Sequence, residues 1–102
     1  MPKKMNSDEA KKLLSDCNSD QSFWVNNGPV LRNLDDLSAA IKSLSSEQFS
    51  HHLNKEKNDF ARWVEDVVGD KELSEVLSKV KSKTSATKKI NDRLEALHKY
   101  AG

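Results

Sequence analysis

The sequence predicts a single all-α domain: an irregular bundle of five to six short amphipathic helices, with a short extended segment near Phe23–Leu31 packed across it. Three observations predict this. Apolar residues recur at i, i+3, i+4 spacing in one segment after another. Asn, Ser or Asp stands in front of most of these segments, where its side chain can cap a helix. The composition, 35% hydrophobic and 32% charged over 102 residues, suits small helices with wet outer faces, and a chain of this length holds one core.

The bulk properties exclude some classes. The net charge of +1 comes from 17 basic and 16 acidic residues, so nothing global points to nucleic acid or an acidic membrane surface. The single cysteine, Cys17, cannot staple its own chain, which fits a reducing, cytoplasmic setting. The opening MPKKMNSDEAKK has no apolar stretch of signal-peptide length. No run approaches the roughly 20 apolar residues of a membrane span.

In chain order, Met1–Met5 reads as a loose tail. Asn6 or Ser7 caps a first helix of about three turns, with Glu9 as capping-box partner. Ala10, Leu13, Leu14 and Cys17 make its apolar stripe, and Asn18–Asp20 ends it. Phe23–Val25 and Val30–Leu31 flank the turn Asn26-Asn27-Gly28-Pro29. They form either a small hairpin or, as the preferred reading, an extended segment lying on helices, since two such runs make no stable sheet alone.

Asn33 caps the next helix, with Asp35 and Asp36 in its positive first turn and Leu34, Leu37, Ile41 and Leu44 buried. Ser45 and Gln48 form a capping box for a helix that buries Phe49 and Leu53. A helix over Lys55–Val68 follows, with Phe60, Trp63, Val64 and Val67 inward. One continuous helix over 46–68 is in phase, but Asn54, Asn58 and the absence of apolar residues between Asn54 and Asp59 favour a break. Gly69 is the left-handed stop. Asp70 caps a helix facing inward through Leu73, Val76, Leu77 and Val80. Ser82–Thr87 reads as a polar loop, and a last helix reaches about Tyr100 with Ile90, Leu94 and Leu97 buried.

Several of these residues form a pattern: Phe23, Val25 and Gly28; Leu31, Asn33, Leu34 and Leu37; Phe49, His52 and Leu53; then Asn58, Asp59, Phe60, Trp63, Val64, Gly69, Asp70 and Leu73. With it, residues 23–80 resemble a small domain family of archaea and bacteria whose function is unknown. The Asn58–Trp63 element with its upstream histidine is the specific part. Leu53 and Val64 stand where the family has valine and isoleucine. The resemblance implies a prokaryotic origin and carries over no catalytic residue.

The candidate sites follow from residue chemistry. Adjacent His51 and His52 point about 100° apart on a helix, so one ion does not easily take both, and a third ligand such as Asp59 has to come from the next helix. A histidine at a helix C-terminus has a structural role instead. Asn58 and Asp59 read as helix-start residues, and Cys17 as a small buried hydrophobe. Alternation with inward Phe23 and Val25 points Trp24 outward, where it either anchors a protein contact or covers the edge of the core.

Residues 79–99 hold seven basic residues against two acids, with Lys3, Lys4, Lys11 and Lys12 as a second patch and the acidic stretch Glu56–Glu75 expected to face away. The leading expectation is a non-enzymatic module binding protein, with Trp24, Asn26, Asn27, His51, His52 and Asp59 as contact candidates. The alternative is a small nucleic-acid-associated protein using Lys83, Lys88, Lys89 and Arg93. No cofactor and no metal is expected, and oligomeric state is open.

Overall fold

The computed structural model describes residues 6–102; Met1–Met5, with Lys3 and Lys4 of the second basic patch, lie outside the described residues. The fold is helical. Six α-helices and a two-residue-per-strand hairpin are formed among the described residues.

Helix α1 (Ser7–Leu14) starts at Asn6, whose Oδ1 accepts from the Glu9 amide at 2.8 Å. Glu9 accepts from the Asn6 side-chain amide, so the pair is joined side chain to side chain. The helix runs two turns, not three. Ser15 leaves the helical region and bonds the Lys12 carbonyl through both its amide and its hydroxyl, the local competition by which serine ends helices. Cys17 therefore lies beyond α1, half-buried against the core, with its amide on the Arg32 carbonyl at 2.8 Å.

The hairpin forms: β1 (Phe23–Trp24) and β2 (Val30–Leu31) pair antiparallel, with Phe23 opposite Leu31 and Trp24 opposite Val30. Its inward residues Phe23, Val25 and Leu31 are buried, and packing on the helices supplies the stability that two short strands lack. Helix α2 (Leu34–Ser43) is capped by Asn33 on the Asp36 amide at 2.7 Å and buries Leu34, Leu37, Ala40 and Ile41. Helix α3 (Ser46–His52) carries the full capping box of Ser45 and Gln48.

The break after α3 is present. Leu53 and Asn58 bridge across a tight loop, the Asn54 amide bonds Lys57, and α4 (Asp59–Trp63) starts on Asn58, which accepts from the Ala61 amide at 3.0 Å. The helix is shorter than the expected Lys55–Val68. Residues Val64–Val68 widen into a π-helical turn, and Gly69 ends it at φ +85°. That turn leaves Val67 half-buried while Phe60, Trp63 and Val64 are fully inside. Helix α5 (Lys71–Leu77) is capped by Asp70 on the Leu73 amide.

Helix α6 (Lys83–Ala101) corrects the expected loop at Ser82–Thr87. Ser82 caps it on the Ser85 amide, and Ala86, 1% exposed, heads a buried row with Ile90, Leu94 and Leu97. Its 19 residues span about 28 Å at ~1.5 Å per residue. It packs against α1, α2 and α5, while α4 packs on α5 and the hairpin on α2. Each fully buried Leu or Ile on this axis contributes about 1.5–3 kcal/mol.

An aromatic cluster joins the hairpin to the helices. Phe60 lies at its middle, stacked with Phe23 at 5.3 Å and Phe49 at 5.8 Å between ring centres. Trp63 meets Phe23 edge-on and donates its indole N–H to the Gln21 carbonyl at 2.9 Å. No described helix is long and apolar enough to cross a membrane.

Candidate functional site

The hairpin and the α3–α4 junction meet at one place. Trp24 lies between two inward residues and points out of the fold, 73% exposed, with half-exposed Val30 as its cross-strand neighbour. The turn that follows is tight. The Gly28 amide bonds the Val25 carbonyl at 3.0 Å, and Asn27 adopts φ +55°, a left-handed conformation that asparagine tolerates. A Cβ on Gly28 would sit 2.8 Å from Val25 Cγ1 and 3.1 Å from Gln48 Nε2, so the turn lies directly on α3.

Two side chains of α3 hold it there. Gln48 donates from Nε2 to the carbonyls of Asn26 and Asn27, at 3.1 Å each, while its Oε1 accepts from the Ser45 amide. His52, buried at 6% exposure, accepts the Asn26 amide on Nε2 at 3.0 Å. A backbone amide is always a donor, so this Nε2 is the unprotonated nitrogen and Nδ1 carries the proton. Nδ1–H then donates to Asp59 Oδ2 at 2.9 Å, where Lys57 Nζ also donates at 3.1 Å. Phe23 meets the His52 ring edge-on and Phe60 lies tilted beside it.

The electrostatics follow. Partial burial pushes the Asp59 carboxyl up, but hydrogen bonds from His52 and Lys57, with the charge of Lys57, outweigh it and hold the group below its ordinary 3.8. His51 is exposed and touches His52 only ring to ring, edge-on at 4.8 Å. Of the six contact candidates, Asn26, His52 and Asp59 are thus one hydrogen-bonded chain. Asn27 is tied to α3 through Gln48, and Trp24 and His51 face out. Gln48 and Lys57 were not singled out by sequence reasoning. Gln48 was visible only as a capping residue, and its second role depends on a turn some 20 residues earlier. Among the described residues no group of three or more His, Cys, Asp or Glu is placed to hold a metal ion.

The basic candidates are dispersed. Arg93 is part-buried and held by acids. Its Nε and Nη2 grip both oxygens of Asp70 at 2.8 and 3.0 Å, and Nη1 takes Glu72 at 2.6 Å. Burial lowers the affinity of the guanidinium for its proton, and the two carboxylates more than restore it. Lys83 donates to the last carbonyl of the α2 end, Leu44, at 2.6 Å, an interaction that suits a helix C-terminus. Lys88 lies 3.5 Å from Asp92 on the exposed side of α6, and Lys89 is exposed.

A family model described as "Family of unknown function (DUF5752)" matches residues 17–99. No curated protein matches and no solved structure matches.

Proposed function

We propose, from the premise that the chain belongs to the family of unknown function DUF5752, that it is a non-enzymatic interaction module binding another protein through the hairpin that carries Trp24. One observation carries this reading: a tryptophan 73% exposed on a turn that is tied to α3 through Asn26 N–H, Asn26 C=O and Asn27 C=O. Tryptophan, with tyrosine and arginine, is enriched among the residues that anchor protein interfaces. A turn held in place before binding has little ordering entropy left to lose. Val30 beside Trp24 widens the apolar spot, and the partner is expected to offer an apolar pocket for the indole.

The histidine–aspartate pair supports a binding module better than a catalyst. Both His52 nitrogens are engaged inside the fold, whereas a general base needs a nitrogen within reach of substrate. The single cysteine and the resemblance described above support a cytoplasmic setting in an archaeal or bacterial cell as part of this reading.

The test is a comparison of wild type with Trp24→Ala in affinity capture from the native cell, followed by titration of the purified partner. Loss of one specific partner with an unchanged melting temperature supports the reading. Equal capture by both proteins, or a large drop in melting temperature that puts Trp24 in the core, overturns it.

A further inference from the structure

We propose that the surface around the start of α6 is a docking site for the phosphate backbone of a nucleic-acid duplex. Three grooves flank it, two of them adjoining on the α5 side and the third on the opposite flank of α6. One, of about 820 Å³, lies between α5 and α6 and carries Lys79, Lys81 and Lys89. It shares Val80 and Lys81 with a second, of about 700 Å³, lined by the 53–58 loop with Lys55 and Lys57. The third, of about 580 Å³, lies on the α2 side of α6 and carries Lys42, Lys83 and Lys88.

Charge decides the class of ligand. The three grooves hold eight lysines against four carboxylates, on a chain whose net charge is only +1. The excess is therefore concentrated here and the rest of the molecule is net acidic, which orients an approaching polyanion. Of the eight, Lys57 is engaged by Asp59, Lys83 by Leu44 and Lys88 by Asp92. Lys42, Lys55, Lys79, Lys81 and Lys89 are exposed and have no ion pair among the described residues. Glu56, Glu72 and Glu75 line the same grooves rather than facing away, and of these Glu72 is already taken up by Arg93.

The chemistry of the lining narrows it further. Serine hydroxyls at 82 and 85 are of the kind that bond phosphate oxygens. No aromatic residue lines any of the three grooves, so single-stranded bases find nothing to stack on. Among the described residues the exposed large apolar side chains are Trp24, Val30 and Tyr100, none of them in these grooves, so a membrane has nothing there to insert. Arg93 is left out because Asp70 and Glu72 hold it, and Lys55 and Lys57 enter from a loop far away in sequence.

The experiment is fluorescence anisotropy of the full chain with labelled 20-base-pair DNA and RNA duplexes, a single strand, and vesicles of anionic lipid. Duplex binding is expected to weaken about 40-fold between 50 and 200 mM salt if three phosphates are neutralised. Joint reversal of four of the free lysines (Lys55→Glu, Lys79→Glu, Lys81→Glu, Lys89→Glu) is expected to cost at least tenfold in affinity at low salt, and Trp24→Ala to change nothing. Should the reversed protein melt lower, the Gln versions of the same four serve instead. Absence of duplex binding at 50 mM salt, binding that survives charge removal, or a preference for single strand or vesicles over duplex each overturns the proposal.

Discussion

Replacing His52 with Phe isolates the hydrogen bonds that hold the hairpin turn. The ring stays between Phe23 and Phe60, but both of its polar contacts go. The Asn26 amide loses its acceptor at 3.0 Å in a part-buried position, and an unsatisfied buried donor costs about 1–3 kcal/mol. Asp59 loses less, because Lys57 remains bound and the carboxylate is one-third exposed to water. The net expectation is about 2 kcal/mol, or a melting point lower by roughly 8–16 °C in a domain of this size. Urea denaturation gives the free energy. Amide hydrogen exchange at Asn26 gives the local effect, and it is expected to accelerate there more than in α6. A variant within 0.5 kcal/mol of wild type, with Asn26 as protected as before, would show that His52 does not brace the turn.

Two further outcomes follow from the same geometry. Gly28→Ala places a methyl 2.8 Å from Val25 Cγ1, and crowding of this kind costs about 1–3 kcal/mol; an unchanged urea midpoint would mean that the turn relaxes freely. Asp59 is held below 3.8, so its contribution is complete above the unfolded value and is lost as pH falls through the lower folded value. The stability gap between wild type and Asp59→Asn is therefore expected to be constant above about pH 5 and to shrink below about pH 4; a gap that widens on acidification contradicts the assigned direction.

Much of the fold was legible because it is encoded locally. Asn6, Asn33, Ser45, Asn58 and Asp70 all cap the helices they precede, and Gly69 takes the left-handed stop. Trp24 was placed outward by simple alternation. The failures are tertiary. Ser82–Thr87 looks like a loop because only Ala86 in it is apolar, yet that small residue fits the buried face of α6 against its neighbours. The hairpin was the less favoured alternative because its support comes from the aromatic cluster beneath it. In the site, His52, Asn26 and Asp59 were each singled out, but their hydrogen-bonded chain joins positions 7 and 26 residues apart. Arg93 was misgrouped with the surface lysines for the same reason, since Asp70 lies 23 residues away.

The dependence of α1 and α2 on α6 has a bearing on synthesis. Helix α1 has eight residues, too few to persist alone in water, and its main packing surface is α6. A ribosome makes α1 first and α6 some 70 residues later. Until α6 emerges, α1 and α2 lack the helix they pack against, and the nascent chain presents apolar surface. The order of translation thus makes α6 the closing element, and truncating it leaves a sticky intermediate rather than a smaller domain.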